Sequence, residues 1–495
     1  MTAKTNKIDR VAVVGGGITG LAAAHRLLEL TPGGGKPIQI RLLERGPRLG
    51  GVIRTLTRDG FLMESGPDSF ITDKPAALKL AARLDLENHL IRTRKTRGRS
   101  FVVRNGRLHP TPDGFYLLAP SRILPFLTTR ILSPLGKLRA GLDLFLPARP
   151  PQGDESIGGF VARRLGQEAL DRLAQPMIGA IYGADPMRLS LLGTFPRFRQ
   201  MEREHGSIIR ALWAAGRKRQ AADGNLSNAS GPRYGLFASF DGGQQILVEA
   251  LRKRIPADAI RTGIEVKRIR PEPEGGWRVI SADSEEVFQA VILSLPAGQA
   301  ARIVGTFDQQ LRNHLTEIPY GYSATVSLGF RQEDVTHPLD GFGFVVPSKE
   351  SLSLLGCTFT HQKYAGRAPD GHVLLRVFHG QASESLTDPE LLDRTLQELR
   401  PLVGLRGSPV VSHMARFPAS LPHYPVGHPD LVGRIAERVR KHPGLALAGN
   451  AYGGIGIPDC IHSGESAAEA ILAHLHPDRR TSIHSPIEEP GSVLS

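Results

Sequence analysis

The hydrophobic positions divide the chain into an alternation of buried strands and helices at its start and a strand-rich stretch later on. Residues 11–14, VAVV, form a continuous apolar run ending at Gly15, and LAAAHRLLEL (21–30) follows at helical spacing. Ile38 to Leu43 is a second apolar strand that ends on Glu44, after the loop TPGGGKP. Short apolar runs bounded by turn residues mark strands, and the longer 3.6-period pattern marks helices. Residues 75–90, 156–173 and 189–217 carry helical patterns. Residues 117–146 read as short amphipathic helices broken by Pro120, Pro125 and Pro134. From residue 244 the character changes. One helix (244–255) is followed by the strand-like runs IEVKRIRP, WRVISA and VFQAVILSLP. ATVSLGF, GFGFVV, SLLGCTF and HVLLRVF come next, between residues 324 and 378. The polar stretch 220–233 reads as a flexible loop, and the Ser- and Pro-rich tail 477–495 as disordered.

A chain of 495 residues is too long for one simple core. Its 40% hydrophobic and 22% charged residues are ordinary for a globular protein. The two cysteines, Cys357 and Cys460, stand far apart, which argues against a disulfide scaffold or a metal site and suits a reducing compartment. No apolar run approaches the ~20 residues that span a bilayer, and the N-terminus leads straight into the first strand, so the cytoplasm is the expected location. The net charge of +14 is concentrated: between residues 91 and 150 twelve basic residues face two acids, Asp113 and Asp143. That suits a solvated face, an anionic substrate or an anionic membrane surface. No nucleic-acid-binding pattern accompanies the charge, so nucleic acid is not expected as a partner.

Two glycine signatures carry the chemistry. Strand 11–14 runs into Gly15-Gly16-Gly17-Ile-Thr-Gly20 and then a helix. In a G-x-G-x-x-G turn, Gly15 permits the sharp bend, Gly17 lets the backbone approach a pyrophosphate, and Gly20 lets helix pack on strand. Glu44, at the end of the next strand, is placed for the ribose hydroxyls. The second signature is Glu44-Arg45-Gly-Pro-Arg48-Leu-Gly50-Gly51-Val52 through Thr55. A third glycine-rich segment, Gly449 to Cys460, precedes the last helix, whose start can stabilise an anionic ring.

Arg48-x-Gly50-Gly51-x-x-x-Thr55 resembles the GG motif of flavoproteins of the amine-oxidase superfamily. With GPDSF (66–70), GFGFVVPSKES (341–351), SLPHYPVGH (420–428) and GNAYGGIGIPDCI (449–461), the chain resembles the FAD-dependent porphyrinogen oxidases of haem biosynthesis, from about Val11 to about Ala473. Val52 replaces the arginine usual after the glycine pair, as also occurs among porphyrinogen oxidases. LHPTPDG (108–114) and the basic helices after it look like the bacterial, Gram-positive-type branch, which handles coproporphyrinogen III.

The resemblance implies an α/β (α+β) fold: a Rossmann-type FAD-binding domain built from discontinuous segments (8–95, 234–297 and 429–475), a basic helical insertion (96–219) and a mixed-sheet substrate domain (298–428). It assigns FAD contact to Gly15, Gly17, Gly20, Glu44, Arg45, Arg48, Gly50, Gly51, Gly66, Val266, Gly449, Gly456 and Ile457. Val266, in the strand of IEVKRI, would hold the adenine through its backbone amide. Substrate contact maps to Phe342, Gly343 and Val345 as a non-polar clamp, with Gly179 and Phe378. Ser100 stands where eukaryotic members have an arginine that pairs with a propionate, and Arg99 is adjacent.

What the resemblance implies chemically is three two-electron oxidations of an anionic tetrapyrrole, coproporphyrinogen III or protoporphyrinogen IX, consuming three O2 and releasing H2O2. Hydride leaves a meso carbon for the flavin, so no strong protein base is required. His109, His361 and His379 are accordingly expected to be structural or solvated. The insertion contacts membranes in some members, so a peripheral membrane face and a homodimer are expectations as well. The alternatives are another enzyme of the superfamily, an amine oxidase or carotenoid desaturase, or a flavin-binding redox sensor.

Overall fold

The computed structural model describes residues 8–31, 38–94, 99–112, 115–116, 119–120, 123–149, 153–222 and 237–477. The loops expected at 31–37 and 220–233 and the tail after 477 fall almost wholly outside these residues. The chain divides into two compact units: Met1–Gly51 with Leu247–Glu317 and Val432–Ser495, and Val52–Ile246 with Ile318–Leu431. These boundaries group residues 52–95 and 234–246 with the second unit and 298–317 with the first, unlike the division expected from the sequence.

The first unit is built on a parallel sheet. Its strands are β1 (Asp9–Val14), β2 (Ile38–Glu44), β3 (Ile260–Thr262), β4 (Ala290–Leu293) and β5 (Leu445–Leu447), ordered β3-β2-β1-β4-β5. All neighbours pair in parallel. Val11 to Val14 and all of β4 are buried, so their sequences are continuous apolar runs rather than alternating ones. The strand order reverses direction between β1 and β4, the place where ligands bind in open α/β sheets. Two of the helices that follow strands pack together: α1 (Ile18–Glu29) after β1 and α2 (Ile457–Leu475) after β5. They touch at Gly464, where a Cβ would lie 2.2 Å from the Thr19 carbonyl oxygen, and at an Arg26–Glu469 ion pair of 2.7 Å. Both contacts advance the same way along the two helices, so α1 and α2 run parallel and start at the same end.

The second unit is built on a seven-stranded sheet. In spatial order its strands are Val411–Pro422, Tyr320–Arg331, His372–His379, Leu354–Phe359, Gly343–Val345, Phe101–Arg104 and Arg107–Pro110. Neighbours are antiparallel except Gly343–Val345 with Phe101–Arg104. One face is an apolar core in which Val326, Leu328, Leu375 and Val377 meet Leu391, Leu399 and Leu402 of helix Asp388–Val403. The same unit carries the helices Ile157–Leu165, Gln175–Tyr182, Pro196–His205 and Ile208–Ala222. Arg164, fully buried, is ion-paired to the equally buried Asp143 at 2.5 Å, which ties the helices to residues 142–144.

Three differences from the sequence reading have physical causes. Residues 101–110 form a hairpin of the main sheet rather than the start of a helical insertion. Its turn, Asn105-Gly106, has φ of 52° and 70°, the left-handed pair of a type I′ turn. Pro125 lies in the first turn of helix Ile123–Thr128 and Pro134 opens helix Pro134–Gly141, because the first turn has no internal acceptor for the missing N–H. Pro120 lies in a two-residue strand. Val266 is not in a strand: the chain leaves β3 at Gly263 (φ 75°) and pairs again only from Arg268. In that irregular stretch the N–H of Ile264 donates to the Glu44 carbonyl at 2.9 Å.

Candidate functional site

The first unit gathers the glycine signatures at one edge of its sheet. Gly15 turns the chain out of β1 at φ 107°, and a Cβ there would lie 2.4 Å from the Ser294 carbonyl oxygen. At Gly20 a Cβ would lie 1.9 Å from the Gly15 carbonyl oxygen, so helix and turn are packed backbone on backbone. Gly17 differs. Nothing lies within 4 Å of a Cβ built there, which leaves open space over the start of α1.

Gly17 caps α1 without a side chain, and no acid sits in the first turn, so the first N–H groups and the positive end of the helix dipole remain available to an anion. The second signature reaches back to the first: the Gly50 N–H donates to the Gly16 carbonyl at 2.8 Å, and Gly17 and Gly50 form a parallel bridge. Arg48 folds over its own loop and donates to the Gly51 carbonyl at 2.6 Å, while Arg45 next door is exposed.

Glu44 accepts the N–H of Gly16 through one carboxylate oxygen and that of Gly46 through the other, each at 2.7 Å. Each oxygen retains a lone pair for a hydroxyl donor. Val266 is buried, and its backbone N–H has no partner among the described residues. At the far end of the chain, the Gly449 N–H donates to Ser463 Oγ at 2.9 Å and the Gly456 N–H to Asp459 Oδ2 at 3.1 Å. Gly456 caps α2 with no side chain, and Ile457 is the first residue of that helix. The open start of α1, an acid at the end of β2 and an open amide therefore fit a dinucleotide with a diphosphate, whereas the start of α2 carries Asp459 in its first turn.

The second unit arranges its candidates by strand register. Val345, Gly356, Phe378, Thr325 and Ala415 form one row across five strands. Gly343, Thr358, Arg376, Ser327 and His413 form the adjacent row on the same face, opposite the apolar core. Gly343, Val345 and Phe378 are thereby brought together. Phe342 is buried just before the paired register, with its N–H on the Arg99 carbonyl at 2.8 Å. Gly179 lies in helix Gln175–Tyr182, which packs against strands Gly343–Val345 and Leu354–Phe359. The Arg99 guanidinium leans toward Asp340 at 3.7 Å.

Cover on this face decreases along the strands. Phe61 and Met63 bury Leu374 and Val411, residues 65–68 cover Arg376, and Val345, Phe378 and Ala415 are partly exposed. Gly66 sits where a Cβ would lie 2.1 Å from the Val52 carbonyl oxygen.

Four polar residues of this unit were not foreseen. Arg376 is buried in the middle of the sheet, and Asp68 is ion-paired to Lys363 at 3.0 Å. Burial alone would raise Asp68, but the cations of Lys363 and Arg376 outweigh it and hold the acid well below the carboxylate range. Glu64 is pushed up to about 7 by burial, against the Gln244 N–H and the Thr55 hydroxyl that it accepts. His413 bonds Ser65 Oγ at 2.9 Å and is lowered by burial and by Arg54 and Arg376. One signal was readable in advance: an arginine inside the apolar strand HVLLRVF has to be buried on one face or the other.

Among the described residues His109, His361 and His379 have no carboxylate partner. His379 is core, bonded to Thr395 Oγ1 at 2.9 Å. His361 is held by the Leu374 backbone, and His109 lies among Arg104, Arg107 and Arg130.

Residues 18–472 match the family model of flavin containing amine oxidoreductases. The chain belongs to that family. Its cofactor is FAD. This flavoprotein is 34% identical over 472 residues to the coproporphyrinogen III oxidase of Bacillus subtilis (strain 168), spanning 94% of this chain and 98% of that protein. It is 28% identical to the mitochondrial protoporphyrinogen oxidase of Nicotiana tabacum, over 95% and 96% of the two chains. A crystal structure from Exiguobacterium sp. 255-15, provisionally assigned as a protoporphyrinogen oxidase, superposes with a TM-score of 0.83 at 30% identity, covering 94% of this chain and 99% of that one. Cyclohexylamine oxidase from Brevibacterium oxydans shares the fold, at 18% identity and a TM-score of 0.66 over 95% of this chain and 100% of its own.

Proposed function

We propose that this flavoprotein oxidises coproporphyrinogen III to coproporphyrin III with O2, the cytoplasm-facing step of a haem pathway. It is an FAD-dependent porphyrinogen oxidase. The observation that carries the choice of substrate is the 34% identity to a coproporphyrinogen III oxidase across nearly both full lengths, against 28% to a protoporphyrinogen oxidase. The excess of ten positive charges in residues 91–150 favours the more highly carboxylated of the two substrates.

In this reading α1 and Gly17 take the diphosphate, Glu44 the ribose hydroxyls and the Val266 N–H the adenine. Arg48, Gly50 and Gly51 support the second glycine turn near the diphosphate, and Gly449, Gly456 and Ile457 lie at the ring end. Bound FAD supplies a two-electron acceptor and the route by which electrons reach O2. The chain binds the macrocycle on the row Val345–Gly356–Phe378, a floor of small and apolar side chains that lets a flat ring lie close, and Gly343 and Gly179 keep its margins low. Such positioning, rather than a protein base, accounts for the rate. Over the whole reaction six hydrogens leave the porphyrinogen and three O2 become three H2O2.

The test compares the two porphyrinogens on one preparation of yellow holoprotein. Fluorescent porphyrin should form from both, with kcat/KM at least about tenfold higher for coproporphyrinogen III, a difference of about 1.4 kcal/mol. Equal or reversed preference would overturn the substrate assignment.

The surface of residues 124–145 supports a peripheral membrane contact. Leu124, Leu127, Leu135, Leu138, Leu142 and Phe145 are all exposed, Phe145 at 79%, and Arg130 stands among them. An apolar face with cations at its rim suits an anionic bilayer surface. Among the described residues no helix is long and apolar enough to cross a membrane. Cosedimentation with phosphatidylglycerol vesicles, lost in Leu135→Glu/Leu138→Glu, is the expected result. Self-association through this face without vesicle binding would point to a homodimer instead.

A further inference from the structure

Residues 65–70 run over the polar face of the second unit's sheet, and Arg376 is their main tether. Its Nη2 donates to the Ser65 carbonyl at 3.3 Å and to the Gly66 carbonyl. Its Nη1 lies 3.9 Å from Asp68 Oδ2, and its guanidinium carbon sits 4.9 Å above the Phe378 ring. The hydroxyl of Thr325, one strand over, donates to the Ser65 carbonyl at 3.0 Å. Lys363 Nζ holds both Asp68 oxygens, at 3.1 and 3.0 Å, and Ser69 Oγ at 3.1 Å. A single buried cation thus bonds the loop that carries Gly66 and stacks on the ring of Phe378.

Stability alone does not call for this arrangement. Arg376 is 3% exposed, and its Nε has no hydrogen-bond partner among the described residues. Desolvating a guanidinium and leaving one donor unmet costs several kcal/mol, and buried ion pairs are often no more stable than apolar residues of similar volume. The opposite face of the same strand shows the apolar solution, with Leu375 and Val377 wholly buried in the core. What the cation adds is geometry. A planar fork can grip two successive carbonyls and still stack on a ring, which an aliphatic side chain or an ammonium cannot do.

We propose that Arg376 is a positioning residue of the oxidation, fixing the 65–70 loop and the Phe378 ring relative to each other on the face that receives the macrocycle. The proposal rests on the reading that this face binds the porphyrinogen. Neither Arg376 nor Asp68 needs to touch substrate; their effect passes through Gly66 and Phe378.

Arg376→Lys keeps the charge and loses the fork, and Asp68→Asn weakens the same tether from the other side. In holoprotein normalised to bound FAD, both should lower kcat, Arg376→Lys by about 10- to 100-fold, with KM within about threefold of the parent. Hydrogen exchange of the 65–70 backbone amides should speed up in both. A purely structural residue would lower the yield or melting temperature and leave kcat per bound FAD in place. The proposal is overturned if kcat per bound FAD in both variants stays within about twofold of the parent. Should the parent itself oxidise neither porphyrinogen, the functional reading fails, and hydrogen exchange of the 65–70 amides alone decides for Arg376: faster in Arg376→Lys supports it, unchanged overturns it.

Discussion

The glycine cradle of the first unit and the polar sheet face of the second are two ways of making a site. The cradle is backbone: helix starts, turns and open amides, with glycine wherever another backbone segment passes within about 3 Å of the missing Cβ. The sheet face is side chains, Arg376, Phe378, Val345 and His413, set close by register and drawn from three strands that lie between residues 343 and 422. A backbone site tolerates almost no added atom but carries little charge. A side-chain site tolerates substitution sterically but depends on buried ionisable groups, and so on pH.

The sharpest way to break the comparison is within the cradle itself. Gly20→Ala places a methyl 1.9 Å from a carbonyl oxygen that cannot move without unpacking β1 from α1. A loss of about 4 kcal/mol or more is expected, read as failure to recover folded, yellow protein. Gly17→Ala adds the same methyl to open space. Here the apoprotein should melt within about a degree of the parent, while FAD affinity measured by fluorescence quenching falls about 10- to 100-fold, because the methyl fills the approach to the diphosphate. Equal effects from the two substitutions would mean that Gly17 has no role toward the cofactor. Glu44→Ala comes next. It removes a charged acceptor from the Gly16 and Gly46 amides and from the ribose, and charge-assisted hydrogen bonds of this kind are worth about 1.5–3 kcal/mol each. A weakening of FAD binding by roughly 30-fold, again by quenching titration, is the expected outcome.

The same contrast explains what could be read from the sequence. A backbone site is local: G-x-G-x-x-G, the acid at 44 and the GG turn lie within about forty residues, and each glycine has its own steric reason. The helix after Gly456 was legible for the same reason. The sheet face was not, because its rows join residues 102, 345, 356, 378, 325 and 415, whose adjacency depends on a strand order that local pattern does not encode. The strand Val411–Pro422 has no strand signal in the sequence, because serine, histidine, arginine and two prolines interrupt its alternation, which an edge strand tolerates. The hairpin 101–110 carries a local signal in its Asn105-Gly106 turn, but its two strands are only four residues each. Val266 reads as strand within the run IEVKRI, but the chain leaves β3 at Gly263 and pairs again only from Arg268.

A pH-dependent effect tests the claim that the pH dependence above about pH 4 belongs to the second unit. Glu64 is neutral up to about pH 7 when folded, against about 4.5 for the free side chain. Between these values the native state binds more protons than the unfolded one, so stability falls as pH rises from about 4.5 and the loss is complete once pH has passed about 7. His379 works the other way. Burial, and then the charge of Arg416, lowers it to about 4 from an ordinary 6.5, so its contribution is present above pH 6.5 and is lost as pH falls toward 4. The two slopes oppose each other across the overlap, and the parent should show a broad, nearly flat optimum near pH 5–6. Glu64→Gln keeps one amide oxygen for the Gln244 N–H, turns its NH2 toward the Thr55 hydroxyl, which then accepts, and cannot ionise. Relative to the parent it should gain stability steadily between pH 4.5 and 7, by up to about 3 kcal/mol, and hold that gain above pH 7. Urea midpoints of parent and variant at pH 5 and pH 8 measure it directly. A difference between the two proteins that does not grow with pH would place the alkaline loss elsewhere. FAD affinity, set by the first unit's glycine turns and Glu44, should be the same in parent and variant at either pH.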